Sequence, residues 1–289
     1  MELIQHRFGK FEISQVIEID AGDVIQETIP DATPEAIVGI SWLRPHYADA
    51  DGKLKGVVQS FLVRAEKLAL LVDTCVGNDK HRVDLAAWGN LQTEFLTKLR
   101  QAGCDPSDIT DVLCTHLHFD HVGWNTVLKN GVWQPTFPNA RYMFSAEEWR
   151  YWNSDPQNEI ADDKQGISDS VRPIFEAGLA HLLEDDAQVC EGVRLIPTPG
   201  HTPHHVSVLI ESEGTQCLIT GDAIHHPCQI HHPEWGTASD FDRNRARQTR
   251  ESMLETYSGK NTVILGNHFA VPSGGRVRVV DGRYRFFPE

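Results

Sequence analysis

The chain has 289 residues, 40% of them hydrophobic, and 26 basic against 41 acidic side chains give a net charge of −15. That length fits one large domain with a full core. The acidic excess argues against nucleic acid as a partner, because phosphate binding needs a basic footprint.

No apolar run reaches the ~18 residues that a membrane span needs, so no membrane is expected as a partner. The start, MELIQHRFGKFEISQV, lacks the apolar region of a secretory signal, which makes the cytoplasm the expected address. Six cysteines stand singly without a CxxC pair and read as reduced thiols.

Residues 11–20 (FEISQVIEID) alternate as a half-buried strand does. Residues 21–56, with Pro30, Pro34, Pro45 and Gly52, read as irregular. VVQSFLV (57–63) and LALLV (68–72) form two β-rich runs around RAEK, hence a hairpin, and the second ends at Asp73. Helical spacing over 91–102 is closed by Gly103. A short buried strand, DVLCT, leads directly into His116.

ARYMF (140–144) reads as a strand, and Ser145 caps the helix that follows it. The polar stretch at about 153–190 is expected as a helical insertion within a single domain 1–289, since it is too short for its own core. Strands are expected at 193–197, 205–210, 216–220, 262–265 and 276–280, with a helix over 239–257. Strand pairs interleaved with helices imply an α+β chain of two mixed β-sheets facing each other, flanked by helices.

Fifteen histidines are the anomalous count, and most fall in a few short segments. The densest is Thr115-His116-Leu117-His118-Phe119-Asp120-His121, which follows an apolar strand. Neutral imidazoles and a carboxylate are the donors that catalytic zinc takes. Four donors in six residues crowd one ion, so two ions are the simpler reading. Three further donors each follow an apolar strand: His201 in TPGHT, Asp222 in TGD and His268 in GNH. Strand ends on one sheet rim are where such a scaffold gathers a site.

HxHxDH, then His201 in a PGHT segment, Asp222 in a GD step and a final His268, resembles the metallo-β-lactamase superfamily. Asp73 is similar to the first motif of that family. The resemblance implies the αββα four-layer sandwich with two metal ions, zinc above all, although manganese, iron(II) and cobalt accept the same donors. It implies that His116, His118 and His201 hold one ion, that Asp120, His121 and His268 hold the other, and that Asp222 bridges them. Asp73, Thr115, His204 and His225 are expected to support these ligands from behind.

The implied reaction is hydrolysis by a metal-bridging hydroxide. Asp120 is the catalytic residue that orients it and passes a proton to the leaving group.

Within the superfamily, HFAVPSGGRVR from His268, HHPCQ from His225 and the acidic insertion resemble the branch of methyl parathion hydrolase and quorum-quenching lactonases. That branch implies a lactone or carboxylic ester substrate with an apolar part, and a homodimer on the same ground alone. The alternatives are a phosphotriester or aryl ester hydrolase, then a β-lactamase, a thioesterase of the glyoxalase II type or a mono-iron dioxygenase.

One departure stands out. Some lactonases place a tyrosine between the third-motif His and the bridging Asp, and none lies between His201 and Asp222. His204, His205, His225 and His226 are the candidates for its role. Among the aromatics Trp42, Phe119, Trp124, Trp149, Trp152 and Trp235, the first three are expected to line the pocket. The basic run RNRAR (243–247) reads as a solvated helix face.

Overall fold

A computed structural model describes residues 4–156 and 159–289. The chain folds as two compact units, Met1–Ile19 with Val58–Glu184 and Asp20–Val57 with Asp185–Glu289.

The strands of the first sheet are β1 (Gln5–Phe8), β2 (Phe11–Asp20), β3 (Val57–Ala65), β4 (Leu68–Val72), β5 (Asp111–Leu113), β8 (Arg141–Ser145) and β9 (Ala180–Leu183), in that order across the sheet. A separate ribbon pairs β6 (Thr126–Lys129) with β7 (Val132–Pro135). β3 and β4 form the expected hairpin, whereas β4, β5, β8 and β9 run parallel. Leu70, Leu71 and Val72 are each fully buried, because a parallel strand covered on both faces carries a continuous apolar run and no alternation. Since β4 and β5 are parallel neighbours, Asp73 and Thr115 leave the sheet at the same carboxyl edge.

The second unit holds β10 (Gln188–Cys190), β11 (Val193–Pro197), β12 (Val206–Ser212), β13 (Thr215–Ile219), β14 (Thr262–Leu265), β15 (Gly274–Val280) and β16 (Arg283–Pro288), again in chain order. β11 and β12 are antiparallel, as are β12 and β13, while β13 and β14 are parallel. β11, β13 and β14 therefore all point the same way, and the segments carrying His201, Asp222 and His268 emerge at one edge. Gly200, at φ +137°, lets the chain pass the helix Arg243–Tyr257, where a Cβ would lie 2.2 Å from the Ala246 nitrogen.

Two expectations need correction. Residues 21–56 are not irregular throughout: they hold the helices Gly22–Thr28 and Pro34–Gly39. The second has a Thr33 hydroxyl accepting from the Ala36 nitrogen and Pro34 in its first turn. The stretch at about 153–190 is helical over Ala161–Glu176, but Ala180–Leu183 and Gln188–Cys190 are strands at the ends of the two sheets. Residues 157 and 158 of that stretch lie outside the described residues.

Other expectations hold closely. Ser145 caps the helix Ala146–Asn153 by accepting from the Glu148 nitrogen, and Gly103 takes the positive φ that a helix end favours. All six cysteines are free thiols. Among the described residues no helix is long and apolar enough to cross a membrane.

Candidate metal centre

In the first unit, the loop after β5 gathers its imidazoles closely. The His116 ring lies 4.6 Å from that of His118 and 4.1 Å from that of His121. All three are buried, and Asp120 beside them is partly exposed, with Oδ2 3.8 Å from the His121 Nε2.

Asp73 organises the loop from behind. Its Oδ1 accepts the Thr115 main-chain N–H at 2.7 Å, and its Oδ2 accepts the Thr115 hydroxyl at 2.9 Å and faces His121 Nδ1 at 2.9 Å. A carboxylate only accepts, so the Thr115 proton goes to Asp73 and the hydroxyl oxygen is left to receive His116 Nδ1–H at 3.1 Å. The Nδ1 of both His116 and His121 is thereby committed as a donor, which leaves each Nε2 as the metal-binding atom. Asp73 and Thr115 thus both lie behind the loop that carries His116 and His121.

His118 has a buried carboxyl neighbour that sequence reasoning missed. The buried Asp163, from the helix Ala161–Gly166, has Oδ2 3.9 Å from His118 Nε2, and its Oδ1 accepts the Phe119 N–H at 3.1 Å. Burial pushes the Asp163 carboxyl well above its usual pKa.

In the second unit, the Asp222 carboxylate is ringed by imidazoles. Its Oδ2 lies 3.4 Å from His201 Nε2 and 3.0 Å from His225 Nε2, and its Oδ1 lies 3.2 Å from His268 Nε2. The far nitrogens of two of these rings are committed: His268 Nδ1 donates to the Val57 carbonyl at 3.0 Å, and His201 Nδ1 faces Asp240 Oδ1 at 3.2 Å. With those protons on Nδ1, each Nε2 presents a lone pair to an anionic carboxylate. Such a contact needs a positive charge between the partners, either extra protons or a divalent cation. The donor set therefore fits a metal ion.

Asp240 was also missed. Burial raises its pKa, but the His201 hydrogen bond and the Arg250 guanidinium, whose Nη1 is 3.6 Å from Asp240 Oδ2, hold the carboxyl well below its usual range.

His225 lies at the ligand set itself, stacked on His268 with centroids 5.7 Å apart, and burial pushes its pKa down. His204 lies apart from the buried imidazoles. Its side chain is 36% exposed and its Nδ1 faces Asp185 Oδ2 at 3.1 Å. The neighbouring His205 is the buried one. His226 is tied to the main chain on both sides, by the Tyr47 carbonyl and the Cys228 nitrogen, with its pKa pushed down to about 4 by burial.

The expected pocket aromatics divide. Trp124 belongs to the core, not to a pocket wall: it is 3% exposed, stacks on Phe95 and donates its indole N–H to Glu18 at 2.6 Å. Phe119 is buried edge-on to Trp88. Trp42 is half-buried with its edge against His231, within the second unit. Trp152, by contrast, sets its ring edge against His118 at 5.8 Å.

The profile of the Metallo-beta-lactamase superfamily matches residues 55–268. An N-acyl homoserine lactonase of Bacillus cereus is 29% identical over 57% of the chain and 63% of its own length. Metallo-beta-lactamase domain-containing protein 1 of Xenopus laevis is 28% identical over 78% of the chain and 77% of its length. The chain thus covers less than two thirds of the first of these relatives.

Two solved structures share the fold over 99% of the chain and 97% of their own. One is AidC, a dizinc quorum-quenching lactonase in complex with a product, at TM-score 0.78 and 21% identity. The other is the hydrolase AbOPH in the beta lactamase superfamily, at 0.79 and 24%.

Proposed function

Because the chain belongs to the metallo-β-lactamase superfamily, we propose that it is a metal-dependent hydrolase that opens a lactone or a related carboxylic ester at a dinuclear, zinc-type centre. The observation that carries the reading is the Asp222 carboxylate facing the Nε2 atoms of His201 and His268 at 3.4 and 3.2 Å, with the Nδ1 of each ring committed elsewhere. The relatives named N-acyl homoserine lactonase support the choice of substrate class, and so does the fold shared with AidC.

In this assignment His116, His118 and His201 would hold one ion, Asp120, His121 and His268 would hold the second, and Asp222 would serve both. Bound divalent cations supply Lewis-acid polarisation of the ester carbonyl and bring the pKa of water towards neutrality.

The chain's own groups do the remaining work. Asp73, Thr115, Asp240 and the Val57 carbonyl each take an Nδ1 proton, or relay one, so that the Nε2 lone pairs stay aimed. Asp120 is the ligand carboxylate with partial exposure. It accepts a proton from the attacking water and returns it to the alkoxide leaving group.

The test is a substrate panel on zinc-loaded protein: acyl-homoserine lactones, aryl esters, phosphotriesters and nitrocefin, with metal content measured alongside. Lactone turnover that is lost on chelation and restored by zinc is expected. Asp120→Asn should lower turnover by about 10²–10⁴-fold with the fold intact. Protein carrying two zinc ions per chain but inert towards lactones and esters would sink the reading.

A further inference from the structure

Asp222 sits in a turn whose main-chain N–H groups are accounted for one by one. The Thr220 nitrogen donates to the Leu265 carbonyl at 3.0 Å, the Gly221 nitrogen to Asn267 Oδ1 at 3.1 Å and the Asp222 nitrogen to His205 Nε2 at 2.9 Å. The last of these constrains the chemistry of His205. A backbone amide can only donate, so Nε2 carries no proton and the ring's single proton is on Nδ1.

That proton faces Thr198 Oγ1 at 2.8 Å. The hydroxyl of Thr198 contacts Ser207 Oγ at 3.1 Å, and Ser207 in turn donates to the Thr220 carbonyl at 2.9 Å. Because the Ser207 proton is used on a carbonyl, its oxygen is open to the Thr198 proton and, at 3.1 Å, lies nearer than the His205 and Ile196 carbonyls at 3.4 and 3.5 Å. The shortest contacts then define one direction. It runs from Asp222 N–H to His205, from His205 to Thr198, from Thr198 to Ser207, and from Ser207 back to Thr220, two residues before the start. Thr198 is 4% exposed, and His205, Ser207 and Thr220 are fully buried.

We infer that His205 is a positioning residue, a neutral imidazole with its proton on Nδ1, which closes a ring of hydrogen bonds that fixes the turn carrying the Asp222 carboxylate. Buried, fully satisfied networks of this kind reinforce one another and specify a single arrangement. With both ring nitrogens engaged, His205 offers no lone pair to an ion and no proton to a substrate. The reading rests on Asp222 as the bridging ligand proposed above, but the ring itself does not depend on a bound metal.

The direct test is long-range ¹H–¹⁵N NMR of the metal-free protein. A protonated Nδ1 and an unprotonated Nε2 on His205 are expected. A proton found on Nε2, alone or in an imidazolium, overturns the inference. Two variants extend the test: Thr198→Val breaks the ring at its second link with nearly the same shape, and His205→Gln keeps an acceptor for the Asp222 N–H.

Thr198→Val is expected to speed exchange of the Asp222 amide at least about tenfold and to weaken zinc binding by about 10–100-fold in chelator competition. His205→Gln should retain most of the amide protection that His205→Phe loses. Unchanged Asp222 exchange in both Thr198→Val and His205→Phe would show that the ring positions nothing. Since the NMR and exchange readouts use metal-free protein, they stand apart from the substrate panel, whose failure would count against the proposed reaction alone.

Discussion

Asp240 is fully buried as a side chain, with His201 on one oxygen and the Thr237 N–H and Arg250 on the other. Arg250 is itself fully buried and donates through Nε to the Pro233 carbonyl. Asp240→Asn keeps an oxygen for His201 but takes away the charge that faces Arg250. Breaking a buried pair from one side costs about 3–5 kcal/mol, and weakening the partner of a ligand imidazole costs about 10–100-fold in metal affinity. The two effects separate in a double variant. Adding Arg250→Met should recover part of the stability in urea unfolding, while zinc affinity in chelator competition stays low. Recovery of both together would mean that Asp240 acts only through packing.

The sequence exposes the ligands but hides such supports, for a geometrical reason. Ligands sit at strand ends, where apolar runs stop, whereas Asp163 and Asp240 arrive from helices and loops some 40 residues away. His204 and His205 show the same limit at close range. His204 lies in the turn before β12 and His205 immediately ahead of that strand, and local pattern does not say which of two adjacent histidines turns inward.

Among the elements, the loop that follows β4 is held by one side chain of β2. Glu18 accepts the Val76 N–H at 2.7 Å, the Gly77 N–H at 3.3 Å, the Thr93 hydroxyl at 2.9 Å and the Trp124 indole at 2.6 Å. Only a carboxylate accepts at both ends, so Glu18→Gln must turn an NH₂ group towards at least one of these donors. A buried donor left unpaired costs about 1–3 kcal/mol. The variant should lose stability by that amount in urea unfolding and raise amide exchange over residues 73–77. Wild-type exchange in that loop would remove Glu18 from its organising role.

The strands beside the site were legible because each is a short apolar run with a breaker after it, and β11 and β14 have the expected bounds. β16 (RYRFFP) was not, since a two-stranded edge with Arg at alternate positions looks like surface chain. The helix Pro34–Gly39 carried a readable start in Thr33-Pro34-Glu35, which the prolines around it obscured.

For the whole molecule, each unit brings its donors to the carboxyl edge of its own sheet. The division into units was not readable, because residues 20–57 join the second unit through pairings remote in sequence. The Gly56–Phe269 bridge and the His268 contact with the Val57 carbonyl are two of them. The proposed function assigns each ion donors that lie far apart in sequence, and metal removal tests that assignment without any substrate. A cation bound only to the folded chain adds stability as RT ln(1 + [M]/Kd), about 4 kcal/mol at a thousandfold excess over Kd. Chelation should therefore lower the unfolding midpoint, and in hydrogen exchange it should deprotect residues 115–122 and residues 200–225 together, with one metal dependence. Deprotection confined to one of the two segments would mean that the other holds no ion in common with it, and the dinuclear assignment would fall with its mechanism.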